Sequence, residues 1–432
     1  MDGNDAPLAA TPFPIPPGIR ALAAKQASVY GIADSREIPV KYLLTESSPQ
    51  GYNLVAHVII LRLEVSMAPP GILTSYKSPL FQMTQTTPTC LWNDSAALDE
   101  LAYSIEHGAV GATCNPVIAL SILKKQMPLW RDRIETLIRE MSTATEDQIG
   151  WKIVEEMSVK GAALLKPIFD AQGGRNGRLS IQTDPRFYRS TRGIVDQAVH
   201  FSQLAPNMIV KIPATRAGIA AMEEATYRGI SINATVSFTV PQAIAVAEAV
   251  ERGLARREKE GLDIGSMGPV CTIMVGRLDD WLKVLIDKDN LCIDPGYLEW
   301  AGVAVFKKAY GIYRERGYRL RLLSAAFRNH MHWSEFIGGD VVISPPYAWQ
   351  VRYNASDVEA VPRMDKPVDA AIVRELTAKF PDFARANSEN GISIDDFDTF
   401  GCTRRTLRQF LAAGADLNAV IRNFMIPNPD QE

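Results

Sequence analysis

Short β-prone segments alternate with helical stretches from about residue 88 to residue 350 of the chain. Eight such segments follow one another: TPTCLWND, AVGATCNP, GRLSIQTD, NMIVKIPA, GISINATVSF, GPVCTIMVG, RLRLLSAA and GDVVISPP. Between them, helical periodicity is clearest in residues 241–254, where apolar residues recur three and four positions apart. Strands that alternate with helices predict parallel βαβ units. Eight in one run predict a closed α/β barrel, the (β/α)8 TIM barrel, with a doubly wound sheet as the alternative.

The same pattern predicts three regions along the chain. Residues 1–85 are Pro-rich in two places and contain one isolated strand-like run, at 55–63, so we interpret them as an N-terminal extension that is either poorly structured or accessory. Residues 86–360 are predicted to form the barrel. Residues 361–432 predict a C-terminal helical segment that packs on the barrel, with one helix beginning near Thr406.

The composition is that of an ordinary globular protein, with 47% hydrophobic and 22% charged residues. The formal net charge of −3 gives no reason to expect nucleic acid or an anionic membrane as a partner. An anionic ligand must therefore be held by locally placed cations, which makes individual arginines informative.

Cysteine usage and the start of the chain predict a cytoplasmic location. The five cysteines are odd in number and no two are spaced as Cys-x-x-Cys, which disfavours a disulfide framework or a zinc site. The first thirty residues lack a basic start followed by an apolar run, so we expect no signal peptide. The most apolar stretch, residues 55–65, is interrupted by charged residues and is too short to span a bilayer.

Lys211, inside the apolar segment NMIVKIPA, is the first candidate for chemistry. Burial of an ammonium group is costly and lowers its pKa. A neutral amine near pH 7 is what nucleophilic attack on a ketone requires. The pattern leaves two other interpretations open: an ion pair with a carboxylate at the strand end, or an amine that reaches water.

Polar side chains on one face of a strand predict a polar barrel interior. In residues 231–237, Ser231, Asn233, Thr235 and Ser237 share one face and apolar residues share the other. The outer face of a barrel packs under helices, so the polar face should look inward, towards the strand ends where barrel enzymes place their chemistry. A solvent-facing antiparallel strand has the same alternation and is the alternative.

Asp94 and Asn115 end the first two predicted strands. In a barrel, both side chains would reach the same mouth as Lys211. Both residue types are also common helix N-caps, so a purely structural role is the alternative for each.

Two arginines are candidates for anion binding. Arg277 and Arg328 each follow a predicted strand and are expected to open a helix, where charge and free backbone N–H groups favour a phosphate. A surface salt bridge is the ordinary role of a single arginine at such a place. His330 and His332 form a His-x-His pair, but no third ligand is placed by the sequence, and we expect no metal site.

Five segments together resemble the transaldolase family, in that family's order: GAVGATCNP, VKIPAT, GISINATVSF, VGRLDDW and AFRN. The resemblance covers roughly residues 88–350 and extends to the tail motif FGCTRRTLRQF. It implies that Lys211 is the lysine that forms a Schiff base with a ketose phosphate. It also implies that Asp94 removes the proton of the C4 hydroxyl when the C3–C4 bond breaks. No cofactor or metal is implied, because the iminium itself is the electron sink.

The resemblance also implies the residues that hold the substrate. Asn115 and Asn233 match the asparagines that hydrogen-bond the three-carbon dihydroxyacetone unit. Thr235 matches the threonine that positions a proton-shuttling water. Arg277 and Arg328 match the arginines that clamp the phosphate, so the implied partners are small sugar phosphates. A homodimer is compatible with the resemblance.

Four positions depart from the family's pattern. Gln182 replaces a glutamate on the third strand, and it can orient a water but cannot exchange a proton at neutral pH. General acid–base help is worth about 10²–10⁴-fold, so the change bears on Schiff-base formation. Met274 matches neither the phenylalanine of transaldolases nor the tyrosine of fructose-6-phosphate aldolases. The latter enzymes also carry a glutamine at the position that matches Gln182. Thr272, a candidate substrate-binding residue, and Ala326 each stand for a serine.

These observations favour a transaldolase-type transferase that moves a dihydroxyacetone unit between sugar phosphates. Gln182 and Met274 support a second hypothesis, a Schiff-base aldolase that resembles fructose-6-phosphate aldolase or acts on a specialised substrate. A non-catalytic barrel is the third hypothesis, and the intact Lys211, Asp94 and Asn233 count against it.

Overall fold

The computed structural model describes residues 76–431, in which eight parallel strands close into a barrel in sequence order. The strands are β1 Cys90–Asn93, β2 Ala109–Cys114, β3 Arg178–Gln182, β4 Met208–Pro213, β5 Ile232–Thr235, β6 Val270–Ile273, β7 Arg321–Ser324 and β8 Val342–Ile343. The barrel closes where β8 pairs with β1, with Cys90 beside Val342 and Leu91 beside Ile343. The predicted barrel is confirmed, and the doubly wound alternative is excluded.

Helices connect the strands and continue beyond the barrel. They are α1 Pro79–Thr86, α2 Leu98–Glu106, α3 Pro116–Glu140, α4 Glu146–Ala171, α5 Thr191–Ser202, α6 Arg216–Tyr227, α7 Val240–Lys259, α8 Val275–Asp289, α9 Pro295–Leu298, α10 Ala301–Arg316, α11 Met331–Ser334, α12 Tyr347–Asn354, α13 Ala370–Lys379, α14 Pro381–Ala386 and α15 Gly401–Met425. Side-chain caps start several helices just after strands: Thr215 accepts a hydrogen bond from Gly218 N, and Thr239 from Gln242 N. None of the helices between residues 76 and 431 is both long and apolar enough to cross a membrane.

The polar face of β5 looks into the barrel, as the alternation predicts. Asn233 Nδ2 donates to Ser180 Oγ of β3 at 3.0 Å, and these strands are not neighbours, so both side chains must point inward. Ile232 and Ala234 belong instead to the large apolar core shared with the helices. The solvent-facing antiparallel alternative is therefore excluded.

A small apolar cluster fills the lower part of the barrel. It consists of Trp92, Ile209, Val270, Leu323, Ala325 and Val342. Gly111 of β2 makes room for the indole, because a Cβ there would overlap the ring of Trp92. The interior below Lys211 is thus packed mainly by apolar side chains, with Ser180 of β3, in register with Ile209, as a polar group at that level.

The segments on either side of the barrel pack against it. Helix α15 contacts α3, α4 and α8 and thereby crosses the end of the barrel where the strands finish. In α1, Leu80 and Met83 are fully buried, and Trp333 Nε1 lies 3.3 Å from Met83 Sδ. Most of this helix lies in residues 1–85, the predicted N-terminal extension, and the boundary at residue 85 stays a prediction. Residues 1–75, including the strand-like run at 55–63, lie outside the described residues.

Candidate active site

Lys211 points into the barrel from the middle of β4. It is in register with Gln182 of β3 on one side and Asn233 of β5 on the other, and its neighbour on the same face, Ile209, belongs to the inner cluster. The residue is 3% exposed. Among residues 76–431, no side chain forms an ion pair or hydrogen bond with its Nζ. Neither of the two alternative interpretations of this lysine describes its surroundings.

The charges around Lys211 set the state of its amine. Burial lowers the pKa of Lys211 below its usual range, the carboxylate of Asp94 opposes this shift, and the guanidinium of Arg277 adds to it. The net direction is downward, which favours the neutral, nucleophilic form. The same three groups are therefore close enough to act on one another in this mouth.

Asp94 is held at the end of β1 by a neighbouring strand. Thr113 Oγ1 of β2 donates to Asp94 Oδ1 at 2.6 Å. The following helix, α2, starts after Ala97 without a side-chain cap, so the capping alternative does not hold for Asp94. Its second carboxylate oxygen accepts no hydrogen bond from residues 76–431 and is available for proton transfer.

Asn115 does serve as a helix cap. Its Oδ1 accepts a hydrogen bond from Ile118 N at 3.0 Å at the start of α3. The capping role predicted as an alternative is thus confirmed for this oxygen. The amide Nδ2 has no acceptor among the described residues, so it can still donate to a ligand in the mouth.

Asn233 is fixed at both ends of its amide. Thr272 Oγ1 of β6 donates to Asn233 Oδ1 at 2.7 Å, and Asn233 Nδ2 donates to Ser180 Oγ. All three side chains are buried. This row of polar groups crosses the barrel beside Lys211 and gives the amide one defined orientation.

Gln182 and Thr235 complete the surroundings of Lys211. Gln182 is 2% exposed, and its Oε1 has no hydrogen-bond partner within the described residues. Buried polar atoms in folded proteins nearly always have a partner, so this oxygen marks a place suited to a polar ligand or water. Among residues 76–431, the only acceptor that Thr235 Oγ1 meets is the weak acceptor Met274 Sδ, at 3.8 Å.

Arg277 lies near the start of α8 with its side chain mostly buried. Its Nη1 donates to Gln409 Oε1 of α15, its guanidinium lies 5.8 Å from the centre of the Phe410 ring, and its buried Nε has no acceptor among the described residues. Burial, and next the nearby Arg328, lower the pKa of Arg277. A buried cation with a spare donor and no carboxylate of its own is suited to an anion.

Arg328 departs from the prediction that it opens a helix. It lies in the loop after β7, three residues before the short helix α11, because the backbone turns through a left-handed conformation at Ala326. Its guanidinium binds the carboxylate of Asp280, with Nε–Oδ1 at 3.1 Å and Nη2–Oδ2 at 2.7 Å. The salt-bridge alternative is therefore correct for Arg328 in this structure, although the pair still faces Arg277.

Sequence reasoning missed the buried pair that supports Arg328. His332 Nε2 lies 2.9 Å from Asp279 Oδ2, and both side chains are 0% exposed. Because His332 Nδ1 accepts a hydrogen bond from Arg328 N at 3.0 Å, the ring proton belongs on Nε2, facing the carboxylate. The two residues are far apart in sequence, so the His-x-His pair alone did not reveal it. Across residues 76–431, no three metal-binding side chains are grouped together.

Strained backbone was also not visible in the sequence. Val236 and Ala326 have φ values of 52° and 65°, in the left-handed region that side chains with a Cβ rarely adopt. Val236 directly follows Thr235 at the end of β5, and Ala326 lies shortly before Arg328, after β7. Such strain persists where the surrounding structure enforces it, and it is typical of functional sites.

Comparison with known proteins agrees with the barrel fold. The sequence model of the family described as Transaldolase/Fructose-6-phosphate aldolase matches residues 91–399. Similar proteins include Transaldolase 2 of Streptomyces avermitilis, 32% identical over 47% of this chain and 55% of that protein. Transaldolase of Thiobacillus denitrificans is 31% identical over 52% of this chain and 64% of that protein. The chain thus spans about half to two thirds of the length of the curated relatives it matches. The chain belongs to the transaldolase/fructose-6-phosphate aldolase family.

Proposed function

We propose that this protein is a Schiff-base transaldolase, which moves a dihydroxyacetone unit from a ketose phosphate to an aldose phosphate. The donors we expect are sedoheptulose 7-phosphate and fructose 6-phosphate. The observation that carries the proposal is the buried Lys211 amine, which has no protein partner among residues 76–431 and is under the electrostatic influence of both Asp94 and Arg277. Family membership supports the same reaction class.

The proposed reaction uses these groups in sequence. The neutral Lys211 amine attacks the C2 carbonyl, and uptake of one proton from solvent with loss of water gives an iminium. The Asp94 carboxylate then takes the proton of the C4 hydroxyl, the C3–C4 bond breaks, and its electron pair moves into the iminium to form an enamine. The aldose phosphate leaves with a new carbonyl at its C1. The enamine attacks the carbonyl of a second aldose phosphate, Asp94 returns the proton, and water releases the new ketose.

The remaining side chains would position the substrate. The amides of Asn115 and Asn233 are suited to the hydroxyls of the three-carbon unit. Thr235, whose hydroxyl meets only a weak sulfur acceptor among the residues that the structure describes, is free to orient a water. Arg277 is suited to the phosphate because its Nε has no acceptor within the described part of the chain.

Borohydride trapping tests the proposal. Reduction in the presence of fructose 6-phosphate should leave a stable adduct on Lys211, detected by peptide mass spectrometry, and the Lys211→Met protein should carry none. The peptide that contains Lys307 is an internal control and should carry no adduct, because Lys307 Nζ forms an ion pair with Glu335 Oε2 at 2.7 Å. Absence of an adduct with every ketose phosphate tested would rule the proposal out.

A second candidate function is an aldolase that releases free dihydroxyacetone or acts on an unusual substrate. Gln182 favours it, because an amide next to Lys211 cannot relay the protons of Schiff-base formation in the way a carboxylate does.

Substitution of Gln182 tests whether its amide slows Schiff-base formation. We expect Gln182→Glu to raise the single-turnover rate of Schiff-base formation by on the order of 10²-fold, since general acid–base help is worth about that much. Gln182→Met, which also fits a buried site but exchanges no proton, should give no increase. Equal rates for Gln182→Glu and the natural protein would show that the amide is not limiting.

We further propose a cytoplasmic location, and that residues 1–85 form an N-terminal extension that is either poorly structured or accessory. A homodimer and a place in the pentose phosphate pathway also stay predictions, to be checked by light scattering and by assay with sedoheptulose 7-phosphate.

A further inference from the structure

A cavity of about 480 Å³ opens beside helix α15, at the end of the barrel where the strands finish. Its walls come from the segment that follows β3, from the 3₁₀ segment Ile394–Thr399 and from the first three turns of α15. The lining residues are Tyr188, Arg189, Asp398, Thr399, Arg404, Leu407, Arg408 and Leu411. We call the part of the cavity formed by Arg189, Arg404 and Arg408 the arginine cleft.

The cavity that contains the arginine cleft brings together three guanidinium groups and one carboxylate. Arg189, Arg404 and Arg408 are exposed, and among residues 76–431 none of them forms an ion pair or a side-chain hydrogen bond. Within the described part of the chain, the only carboxylate in the lining is Asp398, and its Oδ1 accepts a hydrogen bond from Arg216 N at 2.9 Å.

Nearby arginines outside the cleft behave differently. Arg186 binds Asp184 at 2.5 Å, Arg192 lies 3.5 Å from Asp196, and Arg216 lies 3.1 Å from Asp395. These three neighbouring arginines are paired with carboxylates, whereas the three arginines of the cleft are not among residues 76–431. Three guanidinium groups around one concave space repel each other, and an anion between them relieves that repulsion and accepts several charge-assisted hydrogen bonds.

Helix α15 connects the arginine cleft to the candidate active site. Arg404 and Arg408 are four residues apart and share the cleft face of the helix. The residues that directly follow these two arginines contact the candidate active site. Arg405 Nη1 donates to Asp280 O at 3.2 Å, and Gln409 Oε1 accepts a hydrogen bond from Arg277 Nη1. Arg189 lies on the same catalytic side, because Tyr188 O accepts a hydrogen bond from Thr215 Oγ1, just after β4, at 2.8 Å.

We propose that the arginine cleft is a second phosphate-binding site, separate from Arg277 and Arg328. Its ligand is a phosphate dianion, since three cations face a single engaged carboxylate. The phosphate comes either from the far end of a bisphosphorylated sugar or from a free phosphorylated effector. Only the first source rests on the proposed function.

Calorimetric binding to the full chain tests the site. All proteins carry Lys211→Met, to prevent turnover, and Arg277→Gln, to remove the catalytic phosphate site. The cleft variant additionally carries Arg404→Gln and Arg408→Gln. The control protein instead carries Arg139→Gln and Arg374→Gln, which remove the same charge from two exposed arginines outside the cleft. We expect inorganic phosphate to bind the control, and to bind the cleft variant on the order of tenfold more weakly, because two charge-assisted contacts are lost. Equal affinity in the two proteins would overturn the proposal.

A second arm separates the two sources of phosphate. With Arg277 intact, fructose 1,6-bisphosphate should bind more tightly than fructose 6-phosphate if the cleft receives the second phosphate of a substrate, and the cleft variant should lose that preference. If the preference is absent but inorganic phosphate still requires the cleft, the ligand is a free effector. Failure of the trapping experiment on Lys211, with phosphate binding still dependent on the cleft, would reject the proposed function and leave the second site standing.

Discussion

At the residue scale, the proposed chemistry depends on three groups that influence one another. Burial depresses the pKa of the Lys211 amine, Asp94 raises it and Arg277 lowers it. Since Arg277 and Asp94 act in opposite directions, their effects can be separated by substitution.

The protonation of Lys211 gives the first prediction. Because its pKa in the folded protein is depressed, the neutral amine appears, and Schiff-base formation rises, as pH increases through a value below that of an ordinary lysine. Arg277→Gln should move this midpoint to higher pH, and Asp94→Asn should move it to lower pH. Titration of a labelled Lys211 by NMR measures the midpoint without requiring turnover. Shifts of the same sign in both variants would contradict the electrostatic account.

A stability effect follows from the same depressed pKa. The pKa of Lys211 is lower in the folded protein than in the unfolded chain. At a pH between these two values, the unfolded chain binds one more proton than the folded protein, so the stability of the fold rises with pH. Below this pH range, the buried ammonium destabilises the folded protein. Lys211→Met should therefore stabilise the protein at neutral pH, by about 1–3 kcal/mol, while abolishing the adduct. Urea unfolding at neutral pH and at pH above the unfolded pKa should show the gain shrinking at the higher pH.

At the element scale, the loop after β7 and the first turns of α15 determine how the arginines are presented. The Asp279–His332 pair holds the backbone of Arg328, and Asp279 Oδ1 also accepts from Gly302 N of α10 at 2.8 Å. Gln409 of α15 occupies one donor of Arg277. Both contacts lie outside the barrel strands, yet both bear on the expected phosphate.

Asp279→Asn should loosen the loop that carries Arg328. Loss of a buried, charge-assisted hydrogen bond should lower the free energy of unfolding by about 1–3 kcal/mol. If the pair positions Arg328, KM for a phosphorylated ketose should rise several-fold while activity with an unphosphorylated ketose is unchanged. A purely structural role would reduce activity with both substrates in parallel, and comparison of the two KM values decides between these outcomes.

Gln409→Ala should release Arg277 for a phosphate. The net contribution of a hydrogen bond to stability is about 1 kcal/mol. Because the substrate phosphate would no longer have to displace Gln409, we expect KM for the phosphorylated ketose to fall roughly fivefold. Gln409→Glu is the opposing variant: its carboxylate should bind Arg277 more firmly and raise KM. An unchanged KM in both variants would mean that Gln409 does not compete with the substrate.

At the scale of the whole molecule, the packed lower half of the barrel supports the polar upper half. Trp92 crosses the interior over Gly111, and its Nε1 has no hydrogen-bond partner among the described residues. A tight contact at this point couples β1, which carries Asp94, to β2.

Gly111→Ala should therefore destabilise the barrel. The added Cβ would overlap the indole of Trp92, and overpacking of this kind costs about 1–3 kcal/mol. Gly311→Ala is a matched control, because a Cβ added to that helical glycine would meet no atom of residues 76–431 within 4 Å, and alanine should gain about 0.5–1 kcal/mol of helix propensity. Urea midpoints that move in the same direction for both variants would contradict this packing account.

The strand–helix order could be predicted from the chain alone because it depends on local periodicity. All eight strand segments are found, and the alternation in residues 231–237 correctly assigns the inward face of β5. The placement of Lys211 inside the barrel follows from the same period of two, since Ile209 and Lys211 share a face.

Only the tertiary structure decided which polar groups meet. Asn115 caps a helix, Arg328 pairs with Asp280, and His332 pairs with Asp279, and each partner had to be distinguished from several equally suitable residues. The arginines of the cleft, which have no ion-pair partner among residues 76–431, are likewise recognised only once α15 lies beside the segment after β3. Periodicity along the sequence determines which way a side chain points, whereas ion pairs and hydrogen bonds depend on distances between segments far apart in the chain, and the fold alone sets those distances.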